Sequence, residues 1–194
     1  VTITGDAGGR LGTGLLAPTL HLGGGKKLTV DKTLVLEGGT GLTLDGGQLS
    51  AATLALHGGT LTLARSYGNA IGTFDWRAGA LNLLGPDDAT MGAGLLPAAL
   101  ALDAGKSLTV AKTLNVGAGT SLSVSGDSLS AGAIAMAGGS LTIPGSASMP
   151  LDWTGGSLHI TGAGASLGSG LLNHDNIMLL GANRSLSVDG SLTV

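Results

Sequence analysis

Residues 28–63, LTVDKTLVLEGGTGLTLDGGQLSAATLALHGGTLTL, align without a gap on residues 108–143, LTVAKTLNVGAGTSLSVSGDSLSAGAIAMAGGSLTI, at an offset of 80 (108 − 28). The match continues upstream, where LLAPTLHLGGGKKLTV (15–30) meets LLPAALALDAGKSLTV (95–110). Downstream, FDWRAGALNLLG (74–85) meets LDWTGGSLHITG (151–162) at an offset of 77 (151 − 74). A third copy starts at Leu158 and stops in mid-repeat, so the repeats run over 1–80, 81–157 and, in part, 158–194. A chain that restates one long unit folds as a stack, because each unit buries its apolar face only against its neighbours.

Inside each unit runs a shorter beat of Leu-x-Leu triplets, which is strand periodicity. One set is Val1-Ile3, Leu20-Leu22, Leu42-Leu44, Leu61-Leu63, Leu81-Leu83, Leu100-Leu102, Leu122-Val124, Leu141-Ile143 and Leu158-Ile160. A second is Leu34-Leu36, Leu54-Leu56, Phe74-Trp76, Leu95-Leu96, Leu114-Val116, Ile134-Met136, Leu151-Trp153 and Leu171-Leu172. A third, less regular set holds Leu28-Val30, Leu49, Leu108-Val110, Leu129 and Leu186-Val188. Each set recurs at about twenty residues, enough for three short strands and three bends at ~3.3 Å per strand residue. This predicts an all-β fold, a parallel β-helix or β-solenoid of about 9–10 coils, stacked at ~4.8 Å over one segment, 1–194. Glycine, at 37 of 194 residues, supplies the bends. It also interrupts every window in which a helix could form.

Composition removes several function classes. With 5 Pro and no Gly-X-Y period the chain is not collagen. A net charge of −3 gives no basic stripe for nucleic acid. No apolar run approaches the ~20 residues of a membrane helix. With no cysteine there is no disulfide or thiol chemistry. The chain opens in mid-pattern at Val1-Thr2-Ile3 and its outermost strands lack polar caps, so further coils are expected before and after, in the same polypeptide or a neighbouring copy.

The phrases GGQLSAATLALHGGTLTL (46–63) and DWTGGSLHITGAGASLGSGLLNHDNIMLLG (152–181) resemble the repeats of very large bacterial surface exoproteins, the filamentous-haemagglutinin-like adhesins and related autotransporter passenger regions. The resemblance implies a right-handed parallel β-helix, secretion to the cell surface, and a part in adhesion or matrix formation. It carries over no catalytic residue.

Candidate chemistry is sparse. GGTGLTLDG (38–46) faintly matches a calcium-binding nonapeptide, but its equivalent AGTSLSVSG (118–126) has no Asp. Asp75-Trp76 and Asp152-Trp153 recur at equivalent places. Four coils of ~4.8 Å put the two carboxylates ~19 Å apart, beyond the ~5–9.5 Å of a glycosidase pair. Each Trp is expected to fill an inward column, with its Asp outward. His21, His57, His159 and His174 show no metal spacing and read as solvated surface residues. Asn173-His174-Asp175-Asn176 reads as a protruding corner. GGGKK (23–27) and GAGASLGSG (162–170) lack the strand-to-helix context of a phosphate loop.

The expectation is therefore a structural protein: an extracellular stalk, adhesin shaft or fibre subunit with no catalytic, cofactor or metal residues. Its partners are adjoining coils or head-to-tail copies of itself, with host or matrix glycans as a further class. No nucleic acid and no membrane insertion are expected. The rivals are a carbohydrate-binding or polysaccharide-cleaving β-helix, which needs clustered acids, and an ice-binding β-helix. The ice reading rests on the outward row Thr2, His21, Thr43, Thr62, Asn82, Ala101, Ser123, Thr142 and His159.

Overall fold

A Leu-x-Leu triplet puts both leucines on one side of a pleated strand, so triplets that stack in register build continuous apolar columns. A computed structural model shows this arrangement; it describes residues 1–5, 8–14, 16–65, 70–126, 128–162, 164–166, 172 and 180–193. Of the described residues 67% are in strands, and the parallel strands form a β-solenoid of about 7 turns.

The chain divides into two compact units, Val1–Asp87 with Ala104–Thr109, and Asp88–Asp103 with Val110–Val194. The first holds β1 (Thr2–Ile3), β2 (Gly9–Arg10), β3 (Thr19–Gly23), β4 (Lys27–Glu37), β5 (Gly41–Asp45), β6 (Gln48–Leu63) and β7 (Ala70–Leu83). The second holds β8 (Ala89–Thr90), β9 (Ala99–Leu102), most of β10 (Lys106–Gly117), β11 (Ser121–Val124), β12 (Leu129–Pro144), β13 (Leu151–Thr161), β14 (Gly164–Ser166), β15 (Arg184–Val188) and β16 (Ser191–Thr193).

Each lap of the first unit has three faces. Leu28 lies on Leu49 and Val30 on Ala51; Leu34 on Leu54 and Leu54 on Phe74; Leu20 on Leu42, Leu42 on Leu61 and Leu61 on Leu81. The long strand β6 traverses all three faces, and its ladders shift register at the corners. In the second unit Leu100, Leu122, Leu141, Leu158 and Leu186 form one such column. Among the described residues the core contains no buried polar or charged side chain.

The sequence repeat is also a repeat of strands. β9 to β12 reproduce β3 to β6, so that Leu122 lies on Leu141 as Leu42 lies on Leu61. The corner glycines recur with them. Gly58 and Gly138 have φ of +110° and +99°, where a side chain is strained. Their neighbours Gly59 and Gly139 are needed for close approach: a Cβ would stand 2.8 Å from the Glu37 carbonyl oxygen and 2.6 Å from that of Gly117.

Three expectations are corrected. The turns number about 7, not 9–10, because some laps are wider than twenty residues. Ile3 lies on Val30, 27 residues on (30 − 3), and Ile160 on Val188, 28 residues on (188 − 160). Val1–Ile3 therefore does not stack under Leu20–Leu22, and Thr2 leaves the His21 row to lie on Thr29. Leu95-Leu96 is not a rung either: Ala89 and Thr90 take the places beside Leu114 and Asn115. Leu96 instead closes a tight turn, accepting from the Gly92 N–H at 3.0 Å, with its side chain buried.

Candidate functional site

The strongest polar constellation lies on the outer side of β6 and β7 in the first unit. Inward alternation places Leu56 and Trp76 on the core side of the corner and leaves Asp75 pointing out. A register shift between Leu56 and His57 then swings the imidazole toward the adjacent lap. His57 Nε2 lies 2.9 Å from Asp75 Oδ2, and Arg77 Nε lies 3.1 Å from the same oxygen. The side chains of His57 and Asp75 are 30% and 34% exposed. The His57 hydrogen bond, helped by Arg77, holds the Asp75 carboxyl below its ordinary value against a smaller opposing effect of burial.

An imidazole oriented by a carboxylate is part of the machinery that activates a nucleophile. Among the described residues, though, no hydroxyl bonds to the His57 ring. The cluster ties one lap to the next, as other outward pairs do. Arg10 of β2 meets Glu37 of β4, Arg65 lies 3.1 Å from Asp45, and His159 of β13 lies 2.7 Å from Asp189. Asp45, the single carboxylate of the calcium-like stretch 38–46, is thus engaged by a guanidinium. No group of three or more metal-ligating side chains occurs among the described residues.

The two Asp-Trp pairs differ. Trp76 is half-buried, stands 6.0 Å from Phe74 and donates its indole N–H to the Gly79 carbonyl at 3.2 Å. Trp153 is buried under the Arg184 guanidinium, 6.0 Å from the ring centre, and its indole N–H has no partner among the described residues. Asp152 is exposed. The inward Trp and outward Asp hold at 152–153, while at 75–76 both residues are half-buried.

GGGKK (23–27) forms the turn from β3 to β4, closed by the Lys26 N–H on the Gly23 carbonyl at 3.1 Å. Most of 167–176, including His174 and Asn173–Asn176, lies outside the described residues. The outward row survives in two parts: His21, Thr43, Thr62 and Asn82 in the first unit, and Ala101, Ser123, Thr142, His159 and Ser187 in the second. Beside the second part runs a serine column, Ser121, Ser140, Ser157 and Ser185. A corner hollow of about 140 Å³ in the second unit lies among Val124, Leu129, Ser130, Ile143, Ser148 and Met149, and no charged side chain lines it among the described residues.

His57 and His159 read from the sequence as solvated, whereas each is bonded to an aspartate of the next lap. The separation of 18 residues between His57 and Asp75 (75 − 57), close to one lap, was the usable signal. For His159 and Asp189 the wide final lap removed it.

No family model, no curated protein and no solved structure matches this chain.

Proposed function

We propose that the chain is a structural segment of an extracellular bacterial β-solenoid, serving as a shaft, adhesin stalk or fibre subunit, and that it performs no catalysis. The observation that carries this reading is the repetition of one stacked block, β3 to β6 and again β9 to β12, on uninterrupted apolar columns. Such a block resists bending through ladder hydrogen bonds and side-chain stacking rather than through a site. The outward ionic side chains support it too, since His57, Asp75, Arg77, Asp45, Arg65, His159 and Asp189 are spent on one another. The resemblance to adhesin repeats supplies the location and the class of partner: neighbouring coils, further copies, and matrix glycans.

The test is electron microscopy of the purified chain, with surface display and a cell-adhesion assay alongside. Stiff particles that raise adhesion support the proposal. Hydrolysis of any member of a polysaccharide panel overturns it.

A second reading, ice binding, has one observation in its favour. In the second unit hydroxyls project in pairs on one face, Ser121 with Ser123 and Ser140 with Thr142. Freezing hysteresis at micromolar protein supports that reading, and its absence removes it.

A further inference from the structure

The two long repeats match at an offset of 80 and then of 77, so one corner of the second is three residues shorter (80 − 77). From Leu63 to Phe74 the first repeat takes 11 residues (74 − 63), and from Ile143 to Leu151 the second takes 8 (151 − 143). In the first unit that stretch lays a rung on β6, with Ala70 on Ser50 and Ile71 on Ala51. In the second unit the ladder of β12 with β13 begins only at Ile134 on Leu151, and residues 145–150 belong to no strand. Ser130 and Ala131, the equivalents of Ser50 and Ala51, therefore carry no such rung among the described residues.

The hollow of about 140 Å³ stands where the rung is missing, beside Leu129, Ser130 and Ala131 and closed by Ser146, Ser148 and Met149. Burial records the loss: Leu49 is 1% exposed and Leu129 7%, while Ala51 is buried and Ala131 half-buried. In β6 the Gln48 N–H donates to the Lys26 carbonyl at 2.9 Å, on the β4 side. The alternation of a parallel strand then turns the peptide groups of Leu49 and Ala51 toward β7. The equivalent Leu129 and Ala131 turn theirs into the hollow, where no described strand takes them up. Main-chain groups in such a place call for a polar partner.

We propose that this hollow is a binding site for one neutral pyranose ring, the terminal sugar of a glycan. Three features of the hollow select that chemistry. Leu129, Ile143 and Met149 offer an apolar wall for one face of a ring. The serine hydroxyls and the peptide groups of Leu129 and Ala131 offer donors and acceptors to hydroxyls on its rim. No charged side chain lines the hollow among the described residues, so a charged ligand would lose its hydration without compensation. The size agrees, since a cavity of roughly 150 Å³ holds a single six-membered ring. The inference deepens the adhesin reading, on which its biological meaning rests, by giving the glycan a place to bind.

The experiment is a carbon-13 methyl NMR titration of the whole chain with the methyl glycosides of glucose, galactose and mannose, into the tens of millimolar. At least one is expected to shift the methyls of Ile143 and Met149 saturably and to leave those of Leu61 unmoved. A trisaccharide ending in the same sugar reproduces the shifts. Ser148→Leu, on an exposed turn, narrows the hollow and weakens binding at least about tenfold, or ~1.4 kcal/mol, with an unchanged thermal melt. Ala131→Leu fills the hollow from its strand side and has the same effect. No saturable shift with any glycoside overturns the proposal, as does unchanged binding by both folded variants. Cyclohexanol binding as tightly as the best hexoside overturns it too, because the hollow is then merely apolar, and so does tighter binding of glucuronate. Exclusion of the trisaccharide makes a free sugar the ligand and overturns the glycan terminus. Sugar binding by a chain that neither forms stiff particles nor raises adhesion counts against the shaft reading alone.

Discussion

Leu61 of β6 lies in register on Leu42 of β5, and both are shut off from solvent. The contact is one rung of a column that runs from Leu20 to Leu81, so Leu42 and Leu61 are each packed from both sides. Replacing Leu61 with Ala opens a cavity between two laps and costs about 2–5 kcal/mol. Leu61→Asp adds an unpaired buried charge and unfolds the first unit. Denaturant melts followed by circular dichroism check both, and an unchanged midpoint for Leu61→Asp contradicts the inward placement.

Gly59 and Gly38 separate two reasons for glycine. A Cβ on Gly59 would meet the Glu37 carbonyl at 2.8 Å and Thr40 Oγ1 at 2.9 Å, while one on Gly38 meets nothing within 4 Å. Gly59→Ala is therefore expected to destabilise by about 1–3 kcal/mol, a strain of the usual size for a forced backbone. Gly38→Ala is expected to be neutral or slightly stabilising, since it restricts the unfolded chain. Equal melting temperatures for the two variants would remove the close-approach argument.

The Asp75 carboxyl titrates below its ordinary value because His57, and then Arg77, favour its charged form. A depressed folded-state value means that the stabilisation is complete above the unfolded value of about 3.9. It is lost as the pH falls through the folded value. Stability should decline below about pH 4 by an amount that Asp75→Asn diminishes. Because the cluster is partly exposed, solvent screening keeps the effect small. Carbon-detected titration of Asp75 in the parent and in His57→Ala checks the cause: the midpoint rises when the imidazole is removed.

The two tryptophans report on the two units separately. Trp153 is 8% exposed and Trp76 is half-buried. Trp76→Phe should leave a chain whose emission resists acrylamide quenching, and Trp153→Phe one that is quenched more readily. The reverse order would put Trp153 outside its column.

Much of this fold is legible from residue pattern alone, for a physical reason. Inward positions of a stacked sheet tolerate few residues besides Leu, Val and Ile, and the alternation repeats at every lap. That alternation puts Leu42, Leu61 and Leu81 in one column, and they occupy it. The phase between laps is less legible, since spacing does not reveal which face a triplet joins. Val1–Ile3 therefore fell in the wrong stack, and Leu95-Leu96, apolar enough for a strand, proved to hold a turn. The His57–Asp75 pairing was hidden for a related reason: the corner at Leu56 turns His57 out of the simple alternation. The half-exposed Leu186 could not have been told from the buried Leu28 by sequence, because the difference lies in what covers the strand.

The central claim is parallel, in-register stacking of successive laps, and paired cysteines test it most directly because the chain has none of its own. Thr43 and Thr62 lie on adjacent laps in register, while His21 and Thr62 lie two laps apart with Thr43 between them. Adjacent rungs stand ~4.8 Å apart and alternate ones ~9.6 Å, and a disulfide spans Cα atoms about 4.4–6.8 Å apart. On mild oxidation, Thr43→Cys with Thr62→Cys should cross-link within the chain, and His21→Cys with Thr62→Cys should not. Failure of the first pair to link, or equal linking of both, would contradict the stacked-lap fold.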